Sequence, residues 1–225
     1  MPKLRLSKGF TMIELLVVIS IIALLISILL PALSLVREKA SVARVNAELR
    51  QIGICIEMYT EDNGGKHPPT REDCSLRWHD NQLPPELVEG GYLPSPEEKS
   101  GMSASIEDPY TKGDTYKYKA VGELYQNDRY MGDLKKSYLY VPKGFPAKNP
   151  GSRPENDIKY TNPNASPVTW VLYSQGPEFD EWEMIKEKNG PVPRRVWYDS
   201  KERKGMIVRM KLRGKPYDHI GTFKD

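Results

Sequence analysis

The 225-residue chain has few of the side chains that most often carry catalysis, with only three histidines and two cysteines. His67, His79 and His219 stand apart, and no HExxH, paired CxxC, GxSxG or phosphate-cradling glycine motif accompanies them. The sequence therefore predicts a structural protein, with no catalytic residue and not an enzyme. A formal net charge of +3 is also too small to favour nucleic-acid binding.

Long apolar runs are scarce too, because a single uncharged stretch of 22 residues, 15–36, has no counterpart elsewhere in the chain. As a helix this stretch is about 33 Å long, which is enough to cross the hydrocarbon core of a bilayer. Lys3, Arg5 and Lys8 precede it, and basic residues favour the cytoplasmic side. We therefore expect one membrane span, with everything after Val36 on the other side as one exported domain.

The junction between the basic start and the apolar stretch carries the motif KGFTMIELL at 8–16. It resembles the prepilin signal that type IV pilins share with the pseudopilins of type II secretion. The resemblance implies that a prepilin peptidase removes a leader, 1–9, by cleavage after Gly9 and then methylates the amino group of Phe10. It also implies that Glu14 pairs with the Phe10 amine of a neighbouring subunit and so sets the register of assembly.

Three other interpretations of the N-terminus stay open. An ordinary secretory signal peptide has an apolar core of about 7–15 residues and a small-x-small cleavage site, for which Ala32-Leu33-Ser34 would serve. The longer apolar stretch and the charge of Glu14 disfavour this interpretation. An uncleaved membrane anchor and the core helix of a soluble protein are the remaining two.

One long helix is expected to contain both the filament-core segment, 10–36, and an amphipathic continuation, 37–62. In the continuation, apolar residues recur at steps of three and four and predict a face that packs on a globular domain, namely Val45, Leu49, Ile52, Ile56 and Tyr59. The following DNGG at 62–65 is typical of a helix end. Pro31 removes one backbone hydrogen bond and is expected to bend or loosen the helix; the pilin resemblance also marks it as an assembly residue.

The exported domain, 63–225, is expected to be rich in β-structure because 17 of the 19 prolines lie in it. Strands are predicted at 116–121, 137–141, 168–174 and 206–212, with a short helix at 82–89. The fold class is therefore α+β and pilin-like, a long N-terminal helix packed on a small antiparallel β-sheet domain.

Several short motifs in this domain follow one another as in the major pseudopilin, the protein G family, of type II secretion. They are YTEDNG at 59–64, GGYL at 90–93, DPY at 108–110, YKY at 116–118 and SQGPE at 174–178. The segment 122–167 departs from that family and is interpreted as an insertion.

The same family resemblance raises the question of a calcium site in the C-terminal acidic loop. Calcium takes about six to eight oxygen ligands, and some of these would come from the side chains of Glu178, Asp180, Glu181 and Asp199. A solvated acidic loop explains the same residues, so both interpretations stand.

The two cysteines, Cys55 and Cys74, both lie in the exported part, where an oxidising compartment permits a disulfide. Such a bond would link the long helix to the loop that follows it. Two unrelated thiols are the alternative.

The resemblance implies a structural subunit, a pseudopilin of a type II secretion filament that helps to move folded proteins across the outer membrane. Its partners would be copies of itself and related pseudopilins in a helical filament, the prepilin peptidase and an inner-membrane assembly platform. It would cross the bacterial inner membrane once, with its C-terminal domain in the periplasm. A type IV pilus or minor pilin subunit, for adhesion, motility or DNA uptake, is the alternative. A secreted binding domain or enzyme with a removed signal peptide is the alternative of another class.

Overall fold

The computed structural model describes residues 11–72, 82–96, 102–133, 164–179, 196–214 and 218–220. The chain divides into two compact units, Met1–Ser41 and Val42–Asp225. The first helix, α1, spans Met12–Asp62 and thus contributes to both units. The leader and the cleavage site, including Gly9 and Phe10, lie outside the described residues.

In the first unit, α1 presents an apolar surface along its whole length. Apart from Leu35, which is half-buried, its large apolar side chains from Met12 to Val36 are between 45% and 87% exposed. The three serines there turn their hydroxyls back onto carbonyl oxygens of the same helix, as Ser20 does to Leu16 at 2.7 Å. The helix runs through Pro31 without interruption, although Pro31 has no N–H to donate. The bend predicted there stays a prediction.

In the second unit, α1 packs on the globular domain through the predicted face. Val45, Leu49, Ile52 and Ile56 are buried, and Tyr59 is half-buried against the same cluster. The helix then ends in a Schellman motif, in which Gly65 N–H donates to the Thr60 carbonyl at 2.8 Å and Gly64 N–H to the Glu61 carbonyl at 3.3 Å. Gly64 has a φ of 65°, which glycine adopts without steric cost.

The larger sheet has four antiparallel strands in the order β2-β5-β6-β7. Its strands are β2 (Lys117–Ala120), β5 (Val168–Ser174), β6 (Ile207–Leu212) and β7 (Asp218–Ile220). The first three confirm the strands predicted at 116–121, 168–174 and 206–212. The strand predicted at 137–141 lies outside the described residues.

A second, three-stranded sheet has the order β1-β3-β4, with β1 (Thr70–Glu72), β3 (Glu123–Gln126) and β4 (Arg129–Asp133). Besides the antiparallel pairing expected from the sequence, this sheet has one parallel pair, β1 with β3. A parallel pair requires a long crossover connection. The chain between β1 and β3 is long enough to provide one, but no pattern in its sequence indicates the parallel pairing. The β3–β4 hairpin lies in the part interpreted as an insertion and turns at Asn127 and Asp128, both with positive φ.

The predicted short helix is confirmed but is only one turn long. It is α2, Glu86–Glu89, instead of the expected 82–89. Pro84 and Pro85 explain the later start, because the residue before a proline is disfavoured in the helical conformation.

In the larger sheet, β2, β5 and β6 are buried on both faces, and none of their residues is exposed. One face packs on α1 through Tyr118, Trp170, Leu172 and Ile207. The opposite face forms a second cluster around Val171, Tyr173, Met206, Val208, Met210 and Trp197. Met206, Val208 and Met210 therefore point to one buried face and Ile207 to the other. In this strand, alternate positions both face a core, and neither side is solvated.

Candidate functional site

The start of α1 is held by a capping box made of Thr11 and Glu14. Glu14 Oε2 accepts hydrogen bonds from the backbone N–H of Thr11 at 2.9 Å and from its hydroxyl at 2.8 Å. In return, the Glu14 backbone N–H donates to Thr11 Oγ1 at 3.2 Å. A capping box satisfies N–H groups that have no partner inside the helix. Glu14 therefore has a role within its own chain, besides the assembly role that the sequence suggested.

The sequence contained the signal for this cap, which is Thr-x-x-Glu before an apolar run. The two roles of Glu14 have different chemical requirements. The hydrogen bonds of the cap need only an acceptor oxygen, whereas pairing with an amine needs the negative charge. Glutamine preserves the first and removes the second.

Behind the cap, α1 is long and apolar enough to cross a membrane. The part from Leu15 to Val36 has no charge, and all its large apolar side chains except Leu35 are at least 45% exposed. An apolar surface of this extent is unfavourable in water and requires either lipid or protein to cover it.

Two hydrogen-bonded acidic residues join the second half of α1 to the larger sheet. The Tyr116 hydroxyl donates to Glu48, which is also paired with Arg44 at 2.8 Å. Burial, and then the bond to Glu48, raise the pKa of Tyr116 well above its usual value. Further along, Trp170 Nε1 donates to Glu57 Oε1 at 2.7 Å. No sequence pattern indicated these contacts, because they join residues far apart in the chain.

Just beyond the end of α1 lies a partly buried histidine that is restricted to one tautomer. The Thr60 hydroxyl donates to the Ile56 carbonyl at 2.6 Å, so it accepts from His67 Nδ1 at 3.0 Å. Burial lowers the pKa of His67; the charge of Glu57 acts in the opposite direction, and Arg213 and Lys211 lower it further. The neutral imidazole is therefore the form that this position favours.

Two of the motifs that carried the pseudopilin resemblance meet in the folded domain. From SQGPE, the Ser174 hydroxyl donates to Asp108 Oδ1 of DPY at 2.8 Å, and the Tyr110 N–H donates to the same oxygen at 3.0 Å. Burial raises the pKa of Asp108, against these hydrogen bonds, which lower it. Next to this pair, Gly176 has a φ of 70° and its added Cβ would lie 2.0 Å from the Gly205 carbonyl oxygen.

The structure describes two of the four predicted calcium ligands, Glu178 and Asp199. Glu178 and Asp199 are exposed, whereas Asp180 and Glu181 lie outside the described residues. Asp199 Oδ1 accepts from the N–H groups of Lys201 and Glu202 in its own turn, which lowers the pKa of its carboxyl group. Over the described ranges, no three acidic, histidine or cysteine side chains cluster as a metal site would need. Calcium binding stays a prediction.

The disulfide also stays a prediction. Cys55 is half-buried on α1, and burial raises the pKa of its thiol. Cys74 lies outside the described residues.

Comparisons with known proteins agree with the N-terminal features. A family model described as the prokaryotic N-terminal methylation motif matches residues 4–30. The type IV wide pilus major component PilA4 of Thermus thermophilus is 47% identical over 60 residues, or 27% of this chain and 46% of that protein. The match thus spans about half the length of the relative. No solved structure matches the chain.

The methylation motif, the exposed apolar helix and the small sheet domain are together consistent with a membrane-anchored protein of the pilin type. The comparisons support a resemblance to the type IV pilin-like superfamily.

Proposed function

We propose that this chain is the precursor of a filament subunit, which is cleaved after Gly9, methylated at Phe10 and drawn from the inner membrane into a helical filament. The single observation that carries the proposal is the exposed, uncharged surface of α1 directly behind a methylation motif. In the bilayer, lipid covers this surface. In the filament, copies of the same helix cover it, so the loss of lipid contact is offset by helix packing.

The proposed topology has the basic N-terminus in the cytoplasm and the domain from Val42 onward in the periplasm. This orientation follows from Lys3, Arg5 and Lys8 before the apolar stretch. The partners proposed are further copies, related pilin-type subunits, the prepilin peptidase and an inner-membrane assembly platform.

We propose that Glu14 sets the register by pairing its charge with the Phe10 amine of a neighbouring subunit. An unpaired carboxylate inside a packed apolar filament is strongly disfavoured, so only the register that supplies the amine is stable. The capping box holds this carboxylate at the start of α1, where the cleaved N-terminus also lies.

Three variants test the register. Glu14→Gln preserves the cap and loses the charge, Glu14→Ala loses both, and Thr11→Ala loses the side-chain cap while the charge stays. We expect both Glu14 variants to be inserted and cleaved yet to assemble poorly, and Thr11→Ala to assemble. The measurements are cleavage by immunoblot and sheared filaments by electron microscopy. Normal filaments from Glu14→Gln would contradict charge pairing and leave the carboxylate a capping role only.

Two filament systems remain as candidates, and each is favoured by one observation. The motifs of the exported domain resemble a major pseudopilin of type II secretion, and DPY meets SQGPE through the Asp108–Ser174 hydrogen bond. The similarity to a protein named as a pilus major component favours a type IV pilus.

Deletion of the gene in the native host distinguishes the two filament systems. Loss of surface fibres with normal secretion supports the pilus, and accumulation of exoproteins in the periplasm supports secretion.

A further inference from the structure

The exposed apolar side chains of the second unit lie in two places. Over its described residues, the large ones are Ile54, Met58, Tyr130 and Met131, which are between 45% and 56% exposed. The first two lie on α1 and the other two on the β3–β4 hairpin. Single exposed apolar residues are common on protein surfaces, so the position of each pair and the charges beside it decide what it could bind.

On α1, Ile54 and Met58 lie on the side away from the sheet. At about 100° per residue, Ile54 is about 160° around the helix from both Ile52 and Ile56, which are buried. Glu61 is on the same side as Met58, because side chains three apart are neighbours on a helix. Glu61 is exposed and forms no ion pair with any residue that the structure describes. Ile54, Met58 and Glu61 are here called the outer row.

On β4, successive side chains alternate between the two faces of the strand. Tyr130 packs on Tyr125 with ring centroids 5.5 Å apart, which places it on one face. Arg129 and Met131 are on the other face, because alternate residues of a strand share a face. Arg129 is exposed and has no ion-pair partner within the described part of the chain. Arg129 and Met131 are here called the hairpin row.

The two rows are on different sides of the second unit but at a similar level along α1. Tyr59, next to Met58, faces the domain and packs on its core. Burial raises the pKa of Tyr59, and the nearby charges of Glu123 and Arg71 act on that pKa in opposite directions. Glu123 begins β3 and Arg71 lies on β1, so the small sheet is close to this end of α1. Copies with the same membrane orientation therefore need no large axial shift to bring one row beside the other.

We propose that the outer row of each copy binds the hairpin row of the next copy, with Met58 on Met131 and Glu61 paired with Arg129. This rests on the proposed filament and adds a contact between α1 of one subunit and the domain of another. The spacings agree, because side chains three apart on a helix are about 5–6 Å apart and those on one face of a strand about 6–7 Å apart. The apolar contact and the ion pair therefore form together.

The contact repeats along a filament because each copy uses two different surfaces. Its outer row binds one neighbour, and its hairpin row stays available for the neighbour on the other side. Contacts of this head-to-tail kind extend into open helical assemblies when the rotation between copies does not close a ring. Charge also selects this pairing, since two outer rows would bring Glu61 against Glu61 and two hairpin rows Arg129 against Arg129.

The first test uses two variants of the full-length chain that are defective alone and complementary together. Glu61→Arg leaves both rows basic, and Arg129→Glu leaves both rows acidic. Expressed alone in the host, each should lower the yield of sheared filaments at least about fivefold, because attraction becomes repulsion at every contact. Co-expressed, the two variants should alternate and return the yield to near that of the wild type, because opposite charges meet again. An ion pair within one copy would not be restored in this way.

Normal filaments from either variant alone would overturn the proposal, as would defective filaments from the co-expressed pair. Immunoblots of the cleaved protein show that each variant is made and processed. A wild type that forms no filament would instead overturn the proposed function.

The second test compares Met131→Lys with Tyr130→Lys. The two positions are adjacent on β4 and both exposed, but they lie on opposite faces of the strand, so Tyr130→Lys is the matched control. We expect Met131→Lys to lower the filament yield about tenfold, because the contact would bury a charge without a partner. Tyr130→Lys should assemble like the wild type. Equal yields from the two variants would overturn the assignment of the contact to the hairpin row.

Discussion

The burial of α1 predicts very different costs for the truncation of two isoleucines that are only two positions apart. Ile52 is fully buried against the sheet, whereas Ile54 is 52% exposed. Ile52→Ala removes three carbon groups from the core at about 0.8 kcal/mol each and leaves a cavity, so it should cost about 3–4 kcal/mol of domain stability. Ile54→Ala should cost less than about 0.5 kcal/mol, because little area is lost and alanine is the better helix former.

The assay is urea unfolding of the full chain in detergent, followed by tryptophan fluorescence, to which the buried Trp170 contributes. With a urea slope of about 1–3 kcal/mol/M, Ile52→Ala should lower the midpoint by more than about 1 M, and Ile54→Ala should barely change it. Equal costs for the two substitutions would refute the assignment of the two faces.

Further predictions concern the domain that α1 supports. Gly176→Ala should destabilise the domain by several kcal/mol, because the new Cβ would meet the Gly205 carbonyl. Gly113→Ala, where nothing lies within contact of a new Cβ, should cost only about 1–2 kcal/mol for its positive φ. Thermal unfolding compares the two variants, and equal shifts in their midpoints would contradict the predicted clash at Gly176. His67 has a lowered folded-state pKa, so the unfolded state takes up the proton first and stability falls as pH drops below the unfolded value of about 6.5. Between pH 7.5 and 5.5 the wild type should therefore lose more stability in urea than His67→Gln does, and parallel losses would argue against a neutral imidazole at this position.

The sequence predicted most of what depends on a local pattern. The apolar period of three and four residues predicted the buried face of α1, and Gly64 and Gly65 predicted its end. Alternating or continuous apolar runs predicted β2, β5 and β6. Each of these signals lies within a few neighbouring residues, and so it is readable without knowledge of the fold.

Features that depend on distant contacts could not be predicted in the same way. The parallel pairing of β1 with β3 and the bonds from Glu48 to Tyr116 and from Glu57 to Trp170 join segments that no period connects. The capping box of Thr11 and Glu14 is different, because its Thr-x-x-Glu spacing is a local signal. It was not predicted, since Glu14 was assigned only the role in assembly.

The most direct test of the account is mass spectrometry of the N-terminal peptide of the mature protein, purified from membranes of its own host. We expect a peptide that begins at Phe10 with a methylated amino group. A mature chain that begins at Met1, or near Val36, would contradict prepilin processing and with it the proposed filament.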